Sequence, residues 1–165
     1  MLDKVIYFVI SSFPLCMCIL SLLIALSSRN KFNQRLFACL LFFAVGLGGI
    51  WGFIMHAFFS SITTNNIGWK PSPFEFEIAL ANLALGVAGI IAAFANWSYR
   101  AAVVTVVTVF LWGAASGHIY QIIINANFNP GNAGPILWTD ILIPLMLLFL
   151  LPLTYKKNGD ARIYY

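Results

Sequence analysis

The chain has 165 residues, of which 61% are hydrophobic and only 8% are charged. Soluble domains have about 25% charged residues, so this composition excludes a soluble globular protein. The formal net charge of +4 does not indicate nucleic-acid binding, because the basic residues lie at the ends of apolar stretches. The three cysteines form no CxxC pair, so no disulfide framework is expected. The sequence predicts one all-α membrane domain, embedded in the lipid bilayer, with no nucleic acid as partner.

Five apolar stretches are long enough to cross a bilayer as helices, which takes about 20 residues each. The segments between them are polar and rich in Gly, Pro, Asn and Ser. The first stretch differs from a signal peptide because its apolar run is longer and its basic residues follow it. We therefore predict a five-transmembrane-helix bundle. Its helices are expected at about 5–26, 36–59, 73–95, 101–124 and 135–154.

The positions of the basic residues predict the orientation, because Lys and Arg collect in cytoplasmic segments. With five spans, one side of the membrane holds Arg29, Lys31, Arg35, Arg100, Lys156, Lys157 and Arg162. The other side holds only Lys4 and Lys70. This imbalance predicts an N-terminus outside and a C-terminus in the cytoplasm.

The few ionisable residues of the predicted spans lie near the same, outer ends of the helices. Such residues are costly in a bilayer and usually face the bundle interior or a wet cavity. They are His56, Glu77, His118 and Asp140, with Glu75, Asn82 and Gln121 nearby. The sequence therefore predicts one polar site that opens on the outer face.

Helical spacing predicts which neighbours these residues face. Gly48, Gly52 and His56 recur every four residues, so His56 is expected to point at another helix. Two faces of the third span contain small residues: Glu75, Asn82, Gly86 and Gly89 on one, and Glu77, Ala81, Ala84 and Ala88 on the other. We expect this helix to be central, and such Gly/Ala faces could also join a homo-oligomer or a larger membrane complex.

Two of the acids have structural alternatives. Ser72-Pro73-Phe74-Glu75 has the form of a capping box, in which Glu75 would close the helix end. Glu77 is then the stronger candidate for a functional acid. Pro144 removes the hydrogen bond to the carbonyl of Asp140. The resulting bend could line a polar cavity, or it could be a structural kink in which Asp140 binds the preceding loop.

Two parts of the chain look alike. Trp51-Gly52 precedes His56, and Trp112-Gly113 precedes His118. Each is followed by a loop containing Gly, Pro and Asn, and then by a helix with an acid near its start. This pattern suggests either a duplicated helical hairpin, with both copies in the same orientation, or a chance match.

Three segments, PSPFEFEIALANLALGVAG, WGAASGHIYQ and NPGNAGPILWTDILIP, resemble a small family of polytopic bacterial membrane proteins known only as a domain of unknown function. The resemblance covers about residues 50–150. The matching positions are Gly68, Trp69, Ser72, Pro73, Phe74, Glu77, Asn82, Gly86, Gly89, Gly117, His118, Gln121, Asn127, 130–134 and Asp140. It implies the fold class, a shared site and the bacterial inner membrane, and it brings no known activity.

The first functional hypothesis is a metal or redox site on the outer face. Two histidines and two carboxylates suit a divalent metal such as zinc, iron or manganese. The predicted ligands are His56, Glu77, His118 and Asp140, oriented by Glu75, Asn82 or Gln121. No HExxH, CxxC or nucleophile motif is present, so the sequence does not decide whether the chain is an enzyme.

Two alternatives stay open. The chain could be a small transporter, or could bind a ligand such as a lipid or quinone, with Glu77 and His118 exchanging protons. The scarcity of ionisable residues in the inner half favours a one-sided pocket over a path through the membrane. In the other alternative, the chain is an accessory subunit of a larger membrane complex, and the polar cluster is a hydrogen-bond network that holds the outer loops.

Overall fold

The computed structural model describes residues 2–27 and 29–155, with side chains for residues 10–27 and 30–155. All regular elements in these ranges are helical. Three basic residues used to predict the orientation, Lys156, Lys157 and Arg162, lie outside the described residues. The side chains of Lys4 and Arg29 also lie outside them.

The helices follow the predicted apolar stretches and extend several of them. Helix α1 is Leu2–Leu26 and contains Pro14, and a single 3-10 turn follows at Arg29–Lys31. The next helix is one long rod, Phe32–Phe58, made of α2 (Phe32–Cys39), a π-helical segment (Leu40–Leu47) and α3 (Gly48–Phe58). The remaining helices are α4 (Ser60–Ile67), α5 (Phe74–Phe94), α6 (Trp97–Asn125), α7 (Pro130–Ala133) and α8 (Pro135–Leu153).

Within the described residues, four helical segments are long and apolar enough to cross a membrane. They are Phe32–Phe58, Phe74–Phe94, Trp97–Asn125 and Pro130–Leu153. Helix α1 contributes the shorter apolar stretch Ile10–Leu26. The protein is therefore an all-helical membrane protein with four candidate spans, whereas the fifth span and the orientation stay predictions.

Glycines bring α5 into direct backbone contact with the rod. A Cβ atom on Gly49 would lie 2.7 Å from the carbonyl oxygen of Asn82 and from the Cα of Gly86. The predicted Gly face of α5 is therefore a real contact. On the rod, Gly49 takes the place predicted for Gly48. The seven residues from Gly49 to His56 make almost two full turns, whereas the eight from Gly48 go about 80° past two turns.

The second small-residue face of α5 is not covered in the way we predicted. Glu77 and Ala84 are exposed, and the structure places no second helix over them in the described part of the chain. Helix α5 packs mainly on the rod through its Gly face. Association of further copies or subunits with the opposite face stays a prediction.

The two ends of the bundle use polar groups differently. At the end where α5 turns into α6, which we call the Arg100 end, Arg100 Nε donates to Ala92 O at 2.9 Å and Nη2 to Ala93 O at 2.7 Å. Trp97 Nε1 donates to Leu151 O at 2.9 Å. These side chains satisfy carbonyls that helix ends leave free. The opposite end, which we call the α4/α7 end, holds the predicted polar residues.

Candidate functional site

The polar residues of the α4/α7 end form two histidine–acid pairs. In each pair, a histidine near the end of one helix faces an acid near the start of a later helix. His56 Nδ1 lies 2.7 Å from Glu75 Oε2, joining α3 to α5. His118 Nε2 lies 3.8 Å from Asp140 Oδ2, between α6 and α8. The duplicated hairpin stays a prediction, because the two pairs use different ring nitrogens and have different distances.

The first pair connects two helices instead of closing one. The predicted capping box forms only in part. Ser72 Oγ accepts a bond from the Phe74 backbone N–H at 3.3 Å, as a cap residue does, but the Glu75 carboxylate binds His56 in place of the Ser72 backbone N–H. His56 therefore faces a neighbouring helix, as the spacing predicted, and its partner is Glu75.

Asn82 lies below this pair, on the same face of α5. A Cβ atom on Gly52 would lie 2.8 Å from Asn82 Oδ1, so the amide occupies the space that the glycine leaves. Its Nδ2 donates to the Ile78 carbonyl one turn earlier at 2.9 Å. Asn82 therefore packs against Gly52 of the rod, while its side-chain hydrogen bond stays within α5.

Asn132 of α7 binds the histidine of the second pair and is completely buried. Its Oδ1 accepts bonds from Trp69 Nε1 at 3.1 Å and from His118 Nδ1 at 2.9 Å. Its Nδ2 donates to the carbonyl oxygens of His118 at 3.2 Å and Asn127 at 2.9 Å. One amide therefore holds α6, α7 and the segment before α5 together.

These bonds fix the tautomer of His118. An indole N–H can only donate and a backbone carbonyl can only accept, so the amide of Asn132 can have one orientation. Because its Oδ1 faces His118, the Nδ1 atom must carry the proton. In the neutral ring, Nε2 then presents its lone pair to Asp140, another acceptor. Their separation of 3.8 Å is too long for a direct hydrogen bond, so the pair is suited to hold a proton or a small ligand between its atoms.

Asn127 connects the two loops of this end. Its Nδ2 donates to Ile67 O at 2.9 Å, and its Oδ1 accepts from the Asn129 backbone at 3.2 Å and from Asn129 Nδ2 at 2.8 Å. Gly68, next to Ile67, has a φ of 76°. This left-handed conformation suits glycine, and a Cβ atom there would collide with the amide of Asn129.

A further buried amide attaches this network to α1. Asn66 Nδ2 donates to Ser11 Oγ at 2.9 Å, and the absence of a side chain at Gly131 lets α7 pack on Asn66. Sequence reasoning assigned no role to Asn66, Asn127 or Asn132. The positions that carried the resemblance in the sequence include the last two, whereas nothing in the polar run SSITTNNI singled out Asn66.

A groove of about 1000 Å³ lies between the loop before α5 and the loop after α6. Its walls include Trp69, Lys70, Gln121, Asn125, Phe128 and Asn129. Gln121, a predicted site residue, lies there with its Oε1 2.7 Å from Asn125 Nδ2. The Trp69 ring, 5.5 Å from the ring of His118, connects the groove to the second histidine–acid pair.

The predicted four-ligand metal site is not assembled. His56 and His118 belong to separate pairs, and Glu77 is exposed on the face of α5 opposite Glu75. Among the residues that the structure describes, no three His, Cys, Asp or Glu side chains stand close enough to hold one metal ion. Binding of a metal by these four residues together stays a prediction that this geometry does not support.

The comparisons with known proteins give a family and no activity. No curated protein and no solved structure matches the chain. Over residues 5–160 the chain matches the family described as "Family of unknown function (DUF6790)", and it belongs to that family.

Proposed function

We propose that this protein binds a small polar ligand in the groove at the α4/α7 end of a membrane-embedded helical bundle. The observation on which the proposal depends is that the groove adjoins a buried, hydrogen-bonded network. Trp69 lines the groove and is bound to Asn132. Asn127 likewise lines it and is bound to Ile67. A wall held in this way loses little conformational freedom when a ligand binds, which favours affinity.

The groove favours ligand binding over the other two hypotheses. An accessory subunit would need the network to hold its loops, but would not need an open polar groove beside it. A path through the membrane would need polar groups along the bundle. At the Arg100 end, the side chains of Arg100 and Trp97 are instead bound to backbone carbonyls. A one-sided binding site agrees with both features.

A nuclear magnetic resonance titration tests the proposal directly. The indole N–H of Trp69 lies in the groove wall, and that of Trp97 lies at the Arg100 end, which makes it an internal control. We would add anionic, neutral and cationic metabolites to ¹⁵N-labelled protein in detergent, with Trp69→Phe to assign the signal. We expect at least one compound to shift the Trp69 signal and leave Trp97 unchanged. If no compound does so, the groove is not a binding site for this kind of ligand.

The proposed membrane arrangement has five spans, with α1 as the first, the N-terminus outside and the C-terminus in the cytoplasm of a bacterial cell. Packing of α1 supports its membership in the bundle. Its Phe13 ring stacks on Trp51 of α3 at 4.7 Å, and its Ser11 accepts the bond from Asn66. The groove then opens on the outer face, as the distribution of Lys and Arg predicts.

Accessibility of single cysteines tests this orientation. In a background without Cys16, Cys18 and Cys39, we would introduce Phe128→Cys or Lys31→Cys at exposed positions of the two ends. A membrane-impermeant maleimide is expected to label the first in intact bacterial cells, and the second only after permeabilisation. The reverse labelling would show that the bundle has the opposite orientation.

A divalent metal between His118 and Asp140 is the second candidate function. The observation that favours it is the fixed tautomer, because metal-binding histidines typically donate their other ring N–H to an oxygen acceptor. This chain would supply two ligands, and water or a bound molecule would supply the others. The metals to consider are zinc, iron and manganese.

Metal analysis of protein purified without a histidine tag tests the second candidate. We expect roughly one metal per chain in the wild type and in His56→Ala, and its loss in His118→Ala and Asp140→Asn. His56→Ala is the matched control, because it removes the other histidine at the same end. An equally low metal content in all four proteins would contradict the metal site.

A further inference from the structure

The charge of the groove restricts the kind of ligand it can hold. Lys70 is the one charged residue among those that line it, and no acid lines it. In the part of the chain that the structure describes, the acids Glu75 and Asp140 face His56 and His118, and no acid lies within ion-pair distance of the Lys70 ammonium there. A cleft lined by one sign of charge concentrates ligands of the opposite sign. The groove is therefore expected to select an anionic group.

The amides of the groove offer hydrogen bonds to uncharged groups beside that anion. The Nδ2 of Asn127 faces a backbone carbonyl, so its Oδ1 must be the atom that receives Asn129 Nδ2. The Oδ1 of Asn129 then stays available as an acceptor. Gln121 and Asn125 bind each other through one oxygen and one nitrogen, so they retain one amide donor and one amide acceptor in either orientation. Hydroxyl groups, which donate and accept, suit this mixture.

The rings of Trp69 and Phe128 complete the groove, and the Phe128 side chain is 70% exposed. Aromatic rings are frequent where a membrane protein meets the headgroup region of the bilayer. Phosphate is the common anion at this depth, and lysine binds phosphate as a point charge. A carboxylate offers fewer acceptor oxygens to the ammonium and the neighbouring amides.

We infer that the ligand of the groove is a phosphate ester with adjacent hydroxyl groups, held by Lys70 at its phosphate and by Gln121, Asn125 and Asn129 at its hydroxyls. The inference rests on the proposed binding function of the groove and specifies its ligand class. Glycerol phosphate is the simplest member of that class. It exists both as a free molecule and as the headgroup of phosphatidylglycerol, and the experiment below separates the two sources.

The test uses the full chain in lipid nanodiscs and the indole signals of Trp69 and Trp97. Glycerol 3-phosphate, glycerate, glycerol and choline are titrated into nanodiscs of phosphatidylcholine. Separately, the Trp69 signal is compared between nanodiscs with and without phosphatidylglycerol. We expect a saturable shift of Trp69 with glycerol 3-phosphate or with phosphatidylglycerol, and no shift of Trp97. A response to the soluble compound indicates a free ligand, and a response to phosphatidylglycerol alone indicates a lipid headgroup.

Three variants assign the effect to the charge of Lys70. We expect Lys70→Gln to weaken the interaction by about tenfold or more, Lys70→Arg to restore most of it, and Lys31→Gln, at the Arg100 end, to leave it unchanged. Equal binding by Lys70→Gln and the wild type would overturn the role of the lysine. Equal binding of glycerate and glycerol 3-phosphate would overturn the choice of phosphate.

Failure of this inference can be distinguished from failure of the proposed function. If glycerol or choline shifts the Trp69 signal and neither glycerol 3-phosphate nor phosphatidylglycerol does, the groove binds ligands but the inferred ligand class is wrong. If neither these probes nor the wider panel of metabolites shifts Trp69, both proposals fail. In each titration and lipid comparison, the Trp97 indole signal is the control for general effects of the added compounds.

Discussion

The two histidine–acid pairs are built from similar parts and have different geometries. In the pair of His56 and Glu75, the carboxylate binds Nδ1 directly at 2.7 Å, and both side chains are partly exposed. In the pair of His118 and Asp140, Nδ1 is bound by an amide, and the carboxylate lies 3.8 Å from Nε2. Both residues of the second pair are buried. The first pair is a finished contact between two helices, whereas the second leaves two acceptors facing each other.

This difference indicates that the pair of His118 and Asp140 contributes less to stability than the pair of His56 and Glu75. A buried nitrogen lone pair and carboxylate that make no bond with each other are unfavourable unless a proton or a ligand joins them, and natural proteins retain such arrangements mainly at functional sites. The first pair needs no such explanation, because a direct hydrogen bond between α3 and α5 is sufficient. The contrast therefore favours the second pair, with its adjoining groove, as the functional region.

The largest expected effect comes from removing the amide that maintains the second pair. Asn132→Ala would leave the N–H groups of Trp69 and His118 and two carbonyls without their partner. Each buried group left unpaired costs about 1–3 kcal/mol, so we expect the free energy of unfolding to fall by about 3 kcal/mol or more. Unfolding in mixed micelles measures it, with Asn129→Ala as the control. A loss as small as that of the control would show that the network does not hold this end together.

The first pair should show strong coupling between its two residues. A double-mutant cycle with His56→Ala and Glu75→Gln is expected to give a coupling energy of about 1.5 kcal/mol, the size of a hydrogen bond to a charged group. The same cycle with His118→Ala and Asp140→Ala should give a smaller value, because no direct bond joins those residues. Equal coupling in the two cycles would remove the distinction between the pairs.

Replacing the ring that joins the groove to the second pair should have a moderate effect. Trp69→Phe removes one donor to Asn132 Oδ1, which still receives the bond from His118, and we expect a loss of about 1 kcal/mol. Trp97→Phe, which removes one donor to Leu151 O at the other end, is the matched control and should cost a similar amount. Only Trp69→Phe should weaken ligand binding in the groove, as measured by isothermal titration calorimetry.

The smallest expected change in stability is also the most specific. Asp140→Asn replaces one of the two facing acceptors by an amide that can donate to His118 Nε2. We expect the free energy of unfolding to stay the same or to rise by up to about 1 kcal/mol, whereas Asp140→Ala should lower it. A substantial fall in the free energy of unfolding of Asp140→Asn would show that the carboxylate has a binding partner other than His118.

The two acids of α5 show how far the sequence argument reached. The capping-box pattern assigned Glu75 to the helix end and made Glu77 the stronger candidate for a functional acid. Glu75 shares a face of α5 with Asn82, Gly86 and Gly89, and the structure places it against His56. The close backbone contact at Gly86 decides which face of α5 meets the rod. Glu77 is exposed on the other side, whatever its depth.

The spacing of the residues could not show which of the predicted site residues meet. Both histidines and both acids lie near the same ends of their helices, as predicted, but depth in the membrane does not determine which neighbour each side chain meets. That depends on the order and rotation of the helices around the bundle. The sequence presented α4 and α7 only as polar loops, but the amide of Asn66 in α4 binds Ser11 and that of Asn132 in α7 binds His118.

The sequence by itself determined the local features of this protein. Apolar runs of spanning length, broken by Gly, Pro and Asn, are sufficient to make helices in a bilayer, because the backbone must satisfy its own hydrogen bonds there. The spacing of glycines likewise determined the contact face of α5. Only the tertiary structure decided the partners of the polar groups. Asn132, His118 and Trp69 come from three separate segments, and the tautomer of His118 follows from their meeting, which no local pattern specifies.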